Sequence, residues 1–171
     1  MEPSIISDKV FNLMGCVFYG DPFHSAQEWS YENEIGKVWE RFMNLSQKYA
    51  SLITRINKNP KVGYELHLEP EEYNETGKYY IMVGVEVLES IEIPLEMFLK
   101  ILPKTIYIHF TTKVKTADRE VQKVYADWIP NNGFEDVYPY MIESYHSDRY
   151  KGLDDLESEI DWYIPVKKKA S

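Results

Sequence analysis

The apolar positions along the chain write the same order of elements twice. Val10 to Gly20 (VFNLMGCVFYG) is apolar, rich in strand-forming residues, and ends at the turn signal Gly20-Asp21-Pro22, which predicts a strand. From Ile35 the period changes. Ile35, Val38, Trp39, Phe42, Leu45, Tyr49, Leu52, Ile53 and Ile56 recur at three- and four-residue steps, on one face of a long helix or of two consecutive ones. Ser30 has the chemistry of an N-cap for this segment, and Asn59-Pro60 stops it. Val62 to Leu68 and Lys78 to Val87 follow as strands, joined by the acidic, turn-rich EPEEYNETG, expected as a solvated hairpin loop.

The second half repeats that order. Thr105 to Thr112 reads as a strand, and Thr116 caps a helix with Val121, Val124, Tyr125 and Trp128 on one face, ended by Pro130 and Gly133. Tyr138 to His146 and Glu159 to Val166 are two further strands. Two β-α-β-β units, at about residues 8–88 and 104–167, predict an α+β fold in one domain spanning residues 1–171. The expected architecture is one antiparallel sheet with two helices on one face and a ligand groove on the other. Residues 89–103, including the proline-bracketed Ile91 to Pro103, read as a linker that packs down.

Composition narrows the function. A formal charge of −9 opposes phosphate binding, and the Lys167 to Lys169 cluster reads as a solvated tail, so no direct nucleic-acid partner is expected. There is no export-type N-terminus and no run of about 18 apolar residues; a cytoplasmic protein with no membrane partner is expected. The single cysteine, Cys16, lies in the first apolar run and reads as a core residue. Tyrosine is the outlier, with 14 residues beside 4 tryptophans and 7 phenylalanines. Such rings line cavities and also fill cores.

Gly-rich phosphate loops, CxxC pairs, HExxH and GxSxG are all absent from the sequence. His24, His67, His109 and His146 are widely spread, none with another histidine or a cysteine at metal-ligand spacing. Each reads as a surface or half-buried structural histidine, and neither a metal nor a cofactor is expected. The informative stretch is Tyr140 to His146, where strand alternation turns Met141, Glu143 and Tyr145 to one side. If that side lines the groove, Glu143 is an anion within an aromatic wall, which favours an organic cation. The plain structural alternative is a strand-edge carboxylate in water or an ion pair with Arg149.

Trp128-Ile129-Pro130, Asn131 to Glu135, Glu143-Ser144-Tyr145 and Glu159 to Val166 together resemble the C-terminal half of GyrI-like, or AraC-type, effector-binding domains. Ile35 to Phe42 and Tyr79 to Val87 extend the likeness into the first half. The resemblance implies a duplicated β-α-β-β fold with a cavity that binds hydrophobic, often cationic, drugs or metabolites, and it places the family's buried acid at Glu143. With about 10 residues before the first strand, a stand-alone sensing or sequestering module related to transcription regulators is expected. The rings expected around the ligand are Trp39, Tyr64, Tyr80, Tyr107, Phe110, Trp128, Tyr145 and Trp162, with Met141 beside them. Trp39 and Trp128 have helix-face positions equally suited to packing beneath the pocket.

Three classes of function compete. The first is a non-enzymatic binder of small, largely apolar cations. The second is a hydrolase of reactive electrophiles, with Glu143 as general base and Tyr145 as proton donor. The third is a module that binds a protein partner, a regulator or gyrase. A monomer or weak dimer fits all three.

Overall fold

In the computed structural model, which describes residues 2–24, 32–88 and 92–170, nine strands form one antiparallel sheet. The chain runs β1 (Ser4–Lys9), β2 (Asn12–Gly20), α1 (Glu34–Lys48), α2 (Ala50–Ile56), β3 (Val62–Leu68), α3 (Tyr73–Thr76), β4 (Tyr79–Glu86), β5 (Phe98–Ile101), β6 (Thr105–Lys113), α4 (Ala117–Lys123), β7 (Phe134–Asp136), β8 (Tyr140–His146) and β9 (Glu159–Lys168). The spatial order is β1-β6-β9-β8-β3-β4-β2-β5, with β7 paired to the end of β9. The two expected β-α-β-β sets are present, as β2-α1-β3-β4 and β6-α4-β8-β9. They meet where β3 pairs with β8.

Local chemistry sets the helix boundaries. Asn33 caps α1 by accepting a hydrogen bond from the Gly36 N–H at 2.9 Å; Ser30 lies outside the described residues. A break at Tyr49 divides the apolar stripe between α1 and α2. The second helix ends between Pro130 and Gly133, as expected, but not as one regular helix: after α4 the chain continues through a widened, π-type turn (Val124–Trp128) and a last turn (Ile129–Asn131). Pro130 sits at the start of that last turn, where a missing N–H is tolerated. The acidic connector is exposed, as expected, but folds into the single turn α3.

Three strands escape the hydrophobic pattern because they are short or polar. β1 is mostly exposed, β7 has three residues, and β5 lies within the expected linker. β1 pairs with β6, and β5 pairs with β2, so the N-terminal strand edges the second half and the linker strand edges the first. Of the lysines expected as a solvated tail, all three are exposed, but Lys167 and Lys168 belong to β9. Lys167 pairs with Glu135 at 3.1 Å, and Lys169 Nζ donates to the Pro130 carbonyl.

The helices share one face of the sheet. α1 and α2 cover Met14, Cys16, Ile81, Val83 and Val85, while α4 and its extension cover Ile108, Phe110, Ile160, Trp162 and Ile164. The opposite face, where the groove was expected, is filled. There Phe11 packs edge-on against Tyr64, Tyr107 and Tyr163 at ring separations of 5.1–5.8 Å, with Leu13, Leu66 and Ile142 around them. On this face Gly15 and Gly84 pair in register, and a Cβ on either would lie within 2.0 Å of the other strand's backbone oxygen. Among the described residues no helix is long and apolar enough to cross a membrane.

Phe11 is the hub of this second core. Phe11→Ala is expected to lower the unfolding free energy by about 3–5 kcal/mol, as for other large buried aromatics. Urea unfolding measures it, and a loss no greater than that of a surface substitution would remove the far face from the core.

Candidate functional site

The middle of the helix-bearing face is polar where its neighbours are apolar. β3 and β8 pair so that Glu65 stands opposite Glu143, Gly63 opposite Tyr145 and His67 opposite Met141. Alternation brings all six to the helix side. Glu65 is 1% exposed, Glu143 0% and His67 7%. Two carboxylates and an imidazole thus sit together, out of water, between the two helical layers.

The cluster is held by donors on both sides. Trp39 of α1 donates its indole N–H to Glu65 Oε2 at 2.6 Å, and the Tyr145 hydroxyl donates to Glu143 Oε2 at 2.6 Å and lies 3.3 Å from Glu65 Oε2. Trp39 and Tyr145 meet edge-to-face at 5.4 Å. The indole reaches this position because Gly63 lies beneath it; a Cβ there would be 2.8 Å from Trp39 Cη2. His67 Nε2 lies 2.6 Å from Glu65 Oε1 and 3.8 Å from Glu143 Oε1. Glu143 Oε1, fully buried, has no hydrogen-bond partner among the described residues.

This environment shifts the groups toward their protonated forms. Burial, reinforced by the neighbouring Glu65 charge, pushes the Glu143 carboxyl up to about 8, against the opposing pull of His67 and Tyr145. Burial alone would lower the His67 imidazole, but its hydrogen bond to Glu65 and the fields of both glutamates hold it above its ordinary value. Burial, with the Glu143 and Glu65 charges behind it, raises Tyr145 far up, so its phenol remains a donor.

Two clefts flank the cluster. One, of about 550 Å³, is bounded by Ile35, Trp39, Phe42, Tyr145, Tyr150 and Leu153, with Glu65 in its wall. The other, of about 780 Å³, has Tyr73, Tyr79, Tyr125 and Tyr138 around His67 and Met141. Its rim carries Glu69 and Asp136, whose carboxyls burial pushes up. The first is apolar with an anionic floor; the second is a polar, phenolic bowl.

Of the residues singled out in the sequence, Glu143, Tyr145, Met141 and Trp39 come together here. Trp162 stands next to Glu143 across the β8–β9 register but is buried, donating to Thr112 Oγ1 at 2.8 Å and stacked on Phe110. Trp128 stacks on Phe134 at the end of the second helical segment, away from both clefts. Tyr64, Tyr80 and Tyr107 belong to the far face: Tyr107 bonds Tyr140 at 2.7 Å, Tyr64 packs on Phe11, and Tyr80 pairs with Tyr19. Their strand positions have the wrong parity to meet Glu143. The alternative pairing of Glu143 with Arg149 is also excluded, because Arg149 binds Asp161 and Glu159.

Glu65 and His67 are the residues that sequence reasoning missed. The signal was there: in VGYELHL three successive same-face positions are Gly, Glu and His, within a strand whose other face is apolar. His67, expected at the surface or half-buried, is buried against a carboxylate.

Comparison with known proteins identifies the setting. The profile of Cass2, the integron-associated effector binding proteins, matches residues 5–166. The transcriptional regulator BrlR of Pseudomonas aeruginosa is 26% identical over 168 residues, covering 97% of this chain and 56% of BrlR. The chain thus spans just over half the length of that curated relative. Among solved structures, SAV2435 bound to tetraphenylphosphonium superposes with a TM-score of 0.67 at 17% identity, over 98% of this chain and 94% of that one. An integron cassette protein from the mobile metagenome of Vibrio cholerae gives a TM-score of 0.59 at 17% identity, over 96% and 95%. At such identities the likeness to these structures is one of fold.

A carboxyl that holds its proton more tightly when folded makes the folded state the better proton binder between its unfolded and folded pKa values. Stability should therefore fall as pH rises from about 4.5 to about 8, by at most about 1.4 kcal/mol per pH unit for this group. Glu143→Gln should flatten the decline and melt above the parent at pH 8.5. Thermal unfolding across pH checks this; a parent no less stable than the variant at high pH would show that Glu143 carries no such burden.

Proposed function

We propose, from the premise that this chain belongs to the Cass2 family of integron-associated effector binding proteins, that it binds small, largely apolar organic cations in the cleft beside Glu65 and Glu143. One observation carries the reading: the buried Glu65 lines an apolar cleft walled by Trp39 and Tyr145, with Glu143 behind it and bonded to the Tyr145 hydroxyl. A cation entering there meets ring faces, whose quadrupoles attract positive charge, and a negative centre in a low dielectric. A neutral molecule of the same shape would gain the apolar contact while leaving the carboxylates without a counter-charge. That SAV2435 holds tetraphenylphosphonium on the same fold supports the choice of ligand class.

The proton on Glu143 belongs to the mechanism. Burial and the neighbouring Glu65 charge favour the protonated form of this carboxyl in the unliganded protein, so a cation must displace the proton to gain the second charge. Binding then releases protons and tightens as pH rises toward 8. The trade lets the site stand without a ligand while remaining anionic on demand.

Tetraphenylphosphonium should bind with a 1:1 stoichiometry by calorimetry, and neutral triphenylphosphine oxide should bind far less well. Glu143→Gln and Glu65→Gln should each weaken the cation by about 1.5–3 kcal/mol, more than tenfold in Kd. Equal affinity for the neutral compound, or no effect of either substitution, would end the proposal. The short Tyr145–Glu143 contact also favours a second reading, a hydrolase with Glu143 as base and Tyr145 as acid. Turnover of a reactive electrophile that is lost in Glu143→Gln would select it over simple binding.

A further inference from the structure

Beyond organic cations, we infer that Glu65, His67 and Glu143 form a site for a single transition-metal dication, best matched by zinc. One carboxylate oxygen each of Glu65 and Glu143 and a ring nitrogen of His67 all lie within 4.8 Å of one another, and all three residues are buried. The second oxygens are already committed: Trp39 and Tyr145 hold Glu65 Oε2, and Tyr145 holds Glu143 Oε2. Donors that fix the outer oxygen of each carboxylate and aim the inner one are how proteins orient metal ligands. Glu143 Oε1 is the independent sign that something is to be bound, since it is fully buried, without a hydrogen-bond partner, and aimed into the cluster.

The spacing suits a small, low-coordinate ion. In a tetrahedral zinc site with bonds near 2.0–2.1 Å, neighbouring ligand atoms stand about 3.3 Å apart. Here His67 Nε2 is 2.6 Å from Glu65 Oε1 and 3.8 Å from Glu143 Oε1, so rotamer shifts of well under about 1 Å equalise the two. One imidazole and two carboxylates balance a dication and suit zinc better than magnesium or calcium, which favour all-oxygen shells. His67 lines the phenolic cleft, the side from which a fourth ligand would enter. The histidine count hid the set, because two of its ligands are carboxylates and Glu143 comes from the facing strand.

A competing cluster can be set aside. His109 and His146 approach Asp161 at 4.0 and 3.3 Å, but Arg149 and Thr111 already hold that carboxylate, so a cation is in place there.

The inference does not depend on the organic-cation reading, although both occupants use Glu65 and Glu143 and must exclude each other. Tag-free, chelator-treated protein titrated with zinc chloride should bind one equivalent, and cobalt(II) should give the intense visible absorption of a low-coordinate site. His67→Gln and Glu143→Gln should each weaken zinc at least tenfold, with His146→Gln having no effect. In the parent, saturating zinc should raise the apparent Kd for tetraphenylphosphonium at least tenfold. No stoichiometric zinc, loss in His146→Gln instead, or an octahedral cobalt spectrum would overturn the inference. The cobalt and zinc titrations need only the parent protein, so they decide the matter even if a variant fails to fold. Phosphonium binding without zinc refutes the metal site alone; zinc binding without phosphonium refutes the organic-cation reading alone.

Discussion

Everything at the centre of this molecule follows from placing two carboxylates opposite each other, out of water, on the strands that join its halves. Glu65 and Glu143 occupy the β3–β8 pair, the seam of the sheet. Such a pair is unfavourable unless protons, donors or a cation offset it. The surrounding chain supplies the first two: an indole N–H across the space over Gly63, a phenol whose proton is held firmly, and an imidazole hydrogen-bonded to Glu65. The supply stops one acceptor short, and that acceptor is Glu143 Oε1.

The rest of the fold makes this arrangement tolerable. Each half builds its own apolar layer between helix and sheet, and the far face adds a third core of packed rings. The edge strands, N-terminal β1 on β6 of the second half and linker β5 on β2 of the first, close both ends of the sheet, while β3 and β8 join the halves at the seam. A polar cluster can then sit between the helical layers without forming part of any core. It is the place where stability is given up for binding.

What was readable in the sequence tracks how strongly a period was imposed. The α1–α2 stripe from Ile35 to Ile56 and the strands around Val83 and Ile108 are buried on a defined face, so their spacing reveals them. β1 has no buried face and β7 only three residues, and neither leaves a period to read. Parity within β8 placed Glu143 beside Tyr145 correctly. The side of the sheet did not follow from parity: a strand buried on both faces looks alike from either, and only the Gly15–Gly84 approach and the ring cluster around Phe11 close the far side. Tyr64 and Tyr107 were drawn toward the acid for that reason. Glu65 went unnoticed because it gains its meaning from register with a residue 78 positions later, a relation that no local pattern carries.

The two clefts flank one acidic cluster but have no lining residue in common, and that difference decides what each can hold. On one side, Ile35, Phe42 and Leu153 offer area without direction, so a cation there is fixed by charge and ring faces alone. Recognition of that kind discriminates sign sharply and shape loosely, because dispersion contacts on aliphatic and aromatic surfaces re-form around many outlines. On the other side, the hydroxyls of Tyr79, Tyr125 and Tyr138 are directional and ask for hydrogen-bonding partners at set positions. On the proposed reading, breadth of ligand belongs to the first cleft. Selectivity for small polar groups, such as those completing the shell of an ion held by Glu65, His67 and Glu143, belongs to the second.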